Sequence, residues 1–110
     1  MKLELEFQEV PEDLECVTGD IYVEDHREAD APSQQLQSMK IGPFTIQSSQ
    51  PTVTLDVDFT VFSANQEPAL IIRAKAYTQA KQPIEFLNTT ENYLPNNPDS
   101  YMTVTMSRIR

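Results

Sequence analysis

Five apolar side chains at every second position of one short segment constrain the fold more than any other feature of this chain. In residues 52–62, Val53, Leu55, Val57, Phe59 and Val61 alternate with Thr54, Asp56, Asp58 and Thr60. Successive side chains on a strand point to opposite faces, so the segment predicts one strand with an apolar face on a core and a polar face in water. A helix would scatter the same five residues around its circumference. The pattern recurs in Leu3, Leu5 and Phe7 against Lys2, Glu4 and Glu6, and in Met102, Val104 and Met106 against Tyr101, Thr103 and Thr105. Residues 14–23 alternate less regularly. In residues 70–78, Ala74 and Ala76 favour helix while Ile71, Ile72, Tyr77 and Thr78 favour strand. We read a strand there, with Leu70, Ile72, Ala74 and Ala76 inward and Arg73, Lys75 and Tyr77 outward. Residues 35–41 and 83–88 read as weaker strands, although Ser33 is also placed to cap a short helix through Leu36 and Met39.

The chain has only two glycines, Gly19 and Gly42, so its turns must be built from proline, asparagine and aspartate. Breaks are expected at Pro11-Glu12-Asp13, Asp30-Ala31-Pro32, Gly42-Pro43, Ser49-Gln50-Pro51, Asn65-Gln66-Glu67-Pro68, Gln82-Pro83 and Pro95-Asn96-Asn97-Pro98-Asp99. Seven or eight short strands between such breaks predict an all-β domain, a small antiparallel β-sandwich or a partly open barrel. The 110 residues fit one domain, with no internal repeat or linker.

The net charge is −9, and its distribution is uneven. Residues 1–50 hold eleven acids against three bases, and residues 51–110 six against five. Such a surface repels phosphate, which argues against nucleic acid and anionic membranes and favours a basic or neutral partner. Acidity that serves only solubility is the plainer explanation. Cys16 is the single cysteine, so no intrachain disulfide is possible. Its place in an alternating segment predicts a small buried hydrophobe. No apolar run approaches the roughly 20 residues of a membrane-spanning helix. As written the sequence has no signal peptide. This implies a cytoplasmic protein if it is full-length, and a periplasmic or outer-membrane-anchored one if it is a trimmed mature domain.

His26, the single histidine, lies in Glu24-Asp25-His26-Arg27-Glu28-Ala29-Asp30, the densest cluster of ionisable groups. A hydrolytic role would need Asp25 or Glu24 to orient His26, but adjacent strand residues diverge. The spacing fits neither a zinc motif nor a calcium loop, so no metal and no cofactor is expected. A small-ligand or metal-binding domain using this cluster is the alternative reading, and a solvated strand end the plainer one. Cys16 has no activating constellation around it. Asn88-Thr89-Thr90 matches a glycosylation sequon, a frequent chance match. Tyr22, Tyr77, Tyr93 and Tyr101 are either binding residues or packing residues with a hydroxyl at the rim. No catalytic site emerges, and the chain reads as non-enzymatic.

Several blocks in order resemble the YbaY/YscW lipoproteins, whose secretion branch contains pilotin-like chaperones for type III secretins. These are Leu3-Glu4-Leu5-Glu6-Phe7, Pro11-Glu12-Asp13-Leu14-Glu15-Cys16-Val17, and the block from Ile21-Tyr22-Val23-Glu24-Asp25 through Asp30-Ala31-Pro32. The long alternating strand, Ile71-Ile72-Arg73-Ala74, Phe86-Leu87-Asn88-Thr89-Thr90 before Tyr93, and the closing strand follow. The chain departs from the family in starting directly in its first strand, without a lipidated cysteine before it. The resemblance implies a β-sandwich and a protein partner, such as a secretin or another envelope protein with a basic segment. It also implies structural roles for Asp25, Asp30, Ala31 and Pro32, with Asp30 closing a turn. Glu24, Asp25, Glu28 and Asp30 are the candidate acidic surface for that partner. The sequence leaves the oligomeric state open.

Overall fold

The computed structural model describes residues 1–25, 34–57, 70–79, 83–88, 92–93 and 100–109. Eight strands run in chain order: β1 (Lys2–Phe7), β2 (Leu14–Asp25), β3 (Gln34–Ile46), β4 (Thr52–Asp56), β5 (Leu70–Thr78), β6 (Glu85–Leu87), β7 (Asn92–Tyr93) and β8 (Tyr101–Arg108). Among the described residues there is no helix. The strands form one sheet in the order β3-β2-β5-β6-β8-β1-β4, with β7 beside β5, and the sheet curls nearly into a barrel. Of the two expected forms, the partly open barrel is the one adopted. One pairing departs from an all-antiparallel plan. β1 and β8 run parallel, from Lys2↔Tyr101 to Phe7↔Met106. Parallel neighbours need a long connection, and here nearly the whole chain supplies it.

The alternation sets which side chains enter the core. Leu3, Leu5, Phe7, Val104 and Met106 are buried from the parallel pair, and Val17, Ile21, Val23, Ile72, Ala74, Ala76 and Phe86 from the facing strands. Phe7 joins the two sides. Its ring meets Phe86 edge-on at 5.0 Å between centroids and tilts against Phe44 at 6.2 Å. On β4, Val53 and Leu55 are half-buried against the core, Val57 just beyond the strand is buried, and Thr54 and Asp56 are exposed. Phe59, Val61, Asp58 and Thr60 lie outside the described residues, as do Leu36's and Leu70's side chains.

Of the two readings of residues 35–41 the strand is the one adopted, since β3 runs from Gln34 to Ile46 in ladder with β2, and Ser33 lies outside the described residues. Two sequence expectations need correction. The break expected at Gly42-Pro43 falls inside β3, where a cis peptide joins the two residues and Gly42 takes φ 90°. A Cβ on Gly42 would lie 2.4 Å from the Val17 carbonyl oxygen, and one on Gly19 1.9 Å from that of Lys75. Both glycines therefore permit close backbone approach. Cys16 is exposed instead of buried. Between the Leu14↔Ile46 and Val17↔Phe44 pairs β2 holds one more residue than β3, and Cys16 takes φ 54° in this bulge. The extra residue interrupts the alternation, so Leu14 and Val17 both turn inward and Glu15 and Cys16 both face water.

Asn88 is buried and satisfies backbone groups of β5 between β6 and β7. Its Oδ1 accepts from the Ala74 N–H at 2.9 Å, and its Nδ2 donates to the Ile72 carbonyl at 2.8 Å and to Asn92 Oδ1 at 3.1 Å. Between the Lys75↔Leu87 and Ile72↔Asn92 pairs β5 has two residues and the opposing segment four, and there the Asn88 carboxamide pairs with the β5 backbone. The sequon reading thus meets an amide turned into the protein.

Asn88→Ala should destabilise the domain by about 1–3 kcal/mol, because buried backbone groups of Ala74 and Ile72 lose their partner; denaturant unfolding measures this. Val57→Asp should cost several kcal/mol, as an unpaired charge enters the core, while Asp56→Ser should stay within about 0.5 kcal/mol. Thermal unfolding of the two variants side by side checks the inward face of β4.

Candidate protein-binding surface

The acidic cluster singled out in the sequence begins where β2 ends. Glu24 is half-buried, and its carboxylate faces Arg73 across the β2–β5 ladder, with Oε2 3.7 Å from Nε. Their side chains are only 16% and 29% exposed, so this carboxylate is committed within the fold and is not a freely solvated contact. Asp25 is the last residue of β2 and pairs with Gln34 and Leu70. His26, Glu28, Asp30, Ala31 and Pro32 lie outside the described residues, as do Arg27 and Ala29. Among the described residues, no group of three or more His, Cys, Asp or Glu side chains is arranged to hold a metal ion.

The sequence did not disclose the pairing of Glu24 with Arg73, since 49 positions separate them and only the register brings them together. Opposite charges on two strands are a signal once their pairing is known. The same register builds a polar outer face on β3, β2 and β5. Lys40 and Lys75 flank Asp20, while Ser38 and Arg73 flank Tyr22. Asp20, Tyr22, Ser38 and Lys75 line a shallow, open depression of about 310 Å³. The Lys75 ammonium stands 5.7 Å from the ring centre of Tyr77, within cation–π range. Burial raises the pKa of the Tyr22 phenol, and the Glu24 carboxylate raises it further. Three bases thus gather on one face of an acidic protein, in balance with Asp20 and Glu24.

The outer face of β4, β1 and β8 is different. Thr52, Thr54 and Asp56 lie beside Lys2, Glu4 and Glu6, and these beside Tyr101, Thr103 and Thr105. Lys2 contacts both Asp56 oxygens, at 3.0 and 3.1 Å, in an exposed pair of small energetic weight. Tyr101 is 59% exposed and donates its hydroxyl to the Glu4 carboxylate. That bond holds the phenol proton and is the first cause of a raised Tyr101 pKa. Tyr22 and Tyr77 are half-buried on their strands and Tyr101 is a surface group; Tyr93's side chain lies outside the described residues.

These features define an all-β, barrel-like domain with polar outer faces and one aromatic-filled core. The fold is similar to that of an alternative pilotin from the type II secretion system of Vibrio cholerae. The match covers 100% of this chain and 96% of that one, with a TM-score of 0.57 and 15% sequence identity. At that identity the likeness is one of fold. No protein-family model and no curated protein matches the chain, and the likeness to the YbaY/YscW lipoproteins is one of short sequence blocks alone. No helix among the described residues is long and apolar enough to cross a membrane.

Glu4→Gln should lower the Tyr101 pKa toward its ordinary value of 10.0, because the carboxylate that stabilises the protonated phenol is removed. Tyrosine ring shifts followed by NMR through alkaline pH measure this. The Tyr22 signal should keep its own late titration, since it sits on the opposite outer face.

Proposed function

We propose that this chain is a non-enzymatic, protein-binding accessory domain of pilotin type, working on a secretion-system or envelope protein of a bacterium. The observation that carries the reading is the similarity of its whole fold to an alternative pilotin. The order of the YbaY/YscW-like sequence blocks supports it independently. The proposed partner is a secretin, or another envelope protein with a basic segment. Charge supports that choice, since residues 1–50 carry eight of the nine net negative charges. Opposite charge on a partner accelerates encounter, and salt screens it beyond roughly 8 Å at physiological ionic strength.

The test is direct binding of overlapping fragments of a secretin from the same organism to the immobilised domain. One fragment should be retained with a micromolar dissociation constant, and its association rate should fall several-fold between low and high salt. Failure of every fragment to bind, at either salt concentration, would overturn the reading.

A further inference from the structure

The two ends of the sheet are unlike, and only one is suited to receive another strand. β3, at one end, carries Lys40, a glycine at φ 90° and Pro43, which has no N–H to offer, and its register shifts twice against β2 between Leu14 and Gly19. Such features blunt an edge against pairing. β4, at the other end, reads Thr-Val-Thr-Leu-Asp and keeps an unbroken register from Lys2↔Asp56 to Glu6↔Thr52. It has strand-forming residues, no proline and no bulge.

The direction of its backbone groups follows from the β1–β4 ladder. Val57 N–H donates to the Met1 carbonyl at 2.9 Å, and Phe7 N–H to the Pro51 carbonyl at 2.8 Å. The pairs Leu3↔Leu55 and Leu5↔Val53, which fall between these in the same alternation, therefore exchange the β1–β4 bonds. The even positions of β1 turn to β8 instead, as Lys2 N–H does to the Ser100 carbonyl at 2.9 Å. On β4 the even positions face away from β1. Thr52 N–H is taken by the Gln50 carbonyl at 2.8 Å. Among the described residues, the backbone N–H and C=O of Thr54 and Asp56 have no strand to pair with.

We infer that the partner adds an extended segment to the open edge of β4, pairing its backbone with Thr54 and Asp56 and alternating basic with apolar side chains. This deepens the protein-binding reading and rests on it. The alternation comes from the two faces that meet at this edge. On the outer face an added strand would run beside Asp56, 76% exposed, with Glu4 and Glu6 one strand further in, so lysine or arginine is favoured. On the inner face it would extend the half-buried row of Val53 and Leu55, so apolar residues are favoured. Main-chain bonds supply affinity in such additions and the alternate side chains supply selectivity.

The probe is a synthetic peptide of alternating lysine and valine, titrated into the isotope-labelled domain and followed by amide chemical shifts. The amides of Thr54 and Asp56 should move first, and a glutamate/valine peptide should bind at least tenfold more weakly. Thr54→Pro removes one outward N–H without touching a β1–β4 bond, so the variant should fold and lose peptide binding by tenfold or more. Peptide N-methylated at alternate residues should lose binding to the unaltered protein to the same extent, which keeps the test valid if the proline variant is unstable. Shifts confined to the β3-β2-β5 face, or unchanged affinity for the N-methylated peptide, would overturn the edge assignment. A secretin fragment that binds wild type and a folded Thr54→Pro variant equally would also overturn it while leaving the protein-binding reading intact. Lysine/valine peptide adding at β4, with no secretin fragment bound, would keep the edge and remove the secretin.

Discussion

The position of Phe7 is the constraint on which the rest of the structure depends. It lies on β1, near one end of the strand order, yet its ring touches Phe44 on β3, at the other end, and Phe86 on β6 in the middle. A flat sheet could not bring these three rings together. Their contact therefore requires the curl, and the curl encloses Leu3, Leu5, Val104 and Met106 against Ile21, Ile72 and Ala74. The parallel ladder with β8 fixes β1 so that Phe7 can hold that position, and it joins the first and last segments of the chain.

Where strands curl tightly, backbones must approach, and the chain places its two glycines there. Gly19 sits against the Lys75 carbonyl and Gly42 against that of Val17, each too close for a Cβ. The bulge at Cys16 belongs to the same corner. The extra residue bends β2 and keeps both Leu14 and Val17 in the core. The exposed Cys16 thiol is thus a by-product of bending a strand.

The outer surface separates two electrostatic regions. On β3, β2 and β5, acids and bases interleave, and Glu24 with Arg73 and Asp20 between Lys40 and Lys75 leave a balanced face. On β4 and β1, Asp56, Glu4 and Glu6 outnumber Lys2. The sheet's regular edge belongs to the second region. Backbone groups that can accept a strand and carboxylates that select a basic one thus occur together.

Two-residue alternation placed β1 and β8, and the strand-forming residues of 70–78 placed β5. β1, β5 and β8 lie where residues 2–7, 70–78 and 101–106 predicted them, and the inward set Ile72, Ala74 and Ala76 is buried as read. That information is local, because which face a side chain takes depends only on its parity within a strand. Parity fails at a bulge, which is why Cys16 faces water against expectation, since an extra residue is visible only against the partner strand; Gly42-Pro43 has the letters of a turn and instead sits at a register shift inside β3. Asn88 was equally opaque, since a sequon and a backbone bridge have the same letters. The sequence by itself determined an all-β chain with a defined apolar face and an acidic first half. Only the tertiary structure decided which strands neighbour one another, that β1 and β8 run parallel, that Glu24 meets Arg73, and that β4 ends the sheet among the described residues. These are pairings between residues tens of positions apart, set by how the whole apolar face can be closed around one core.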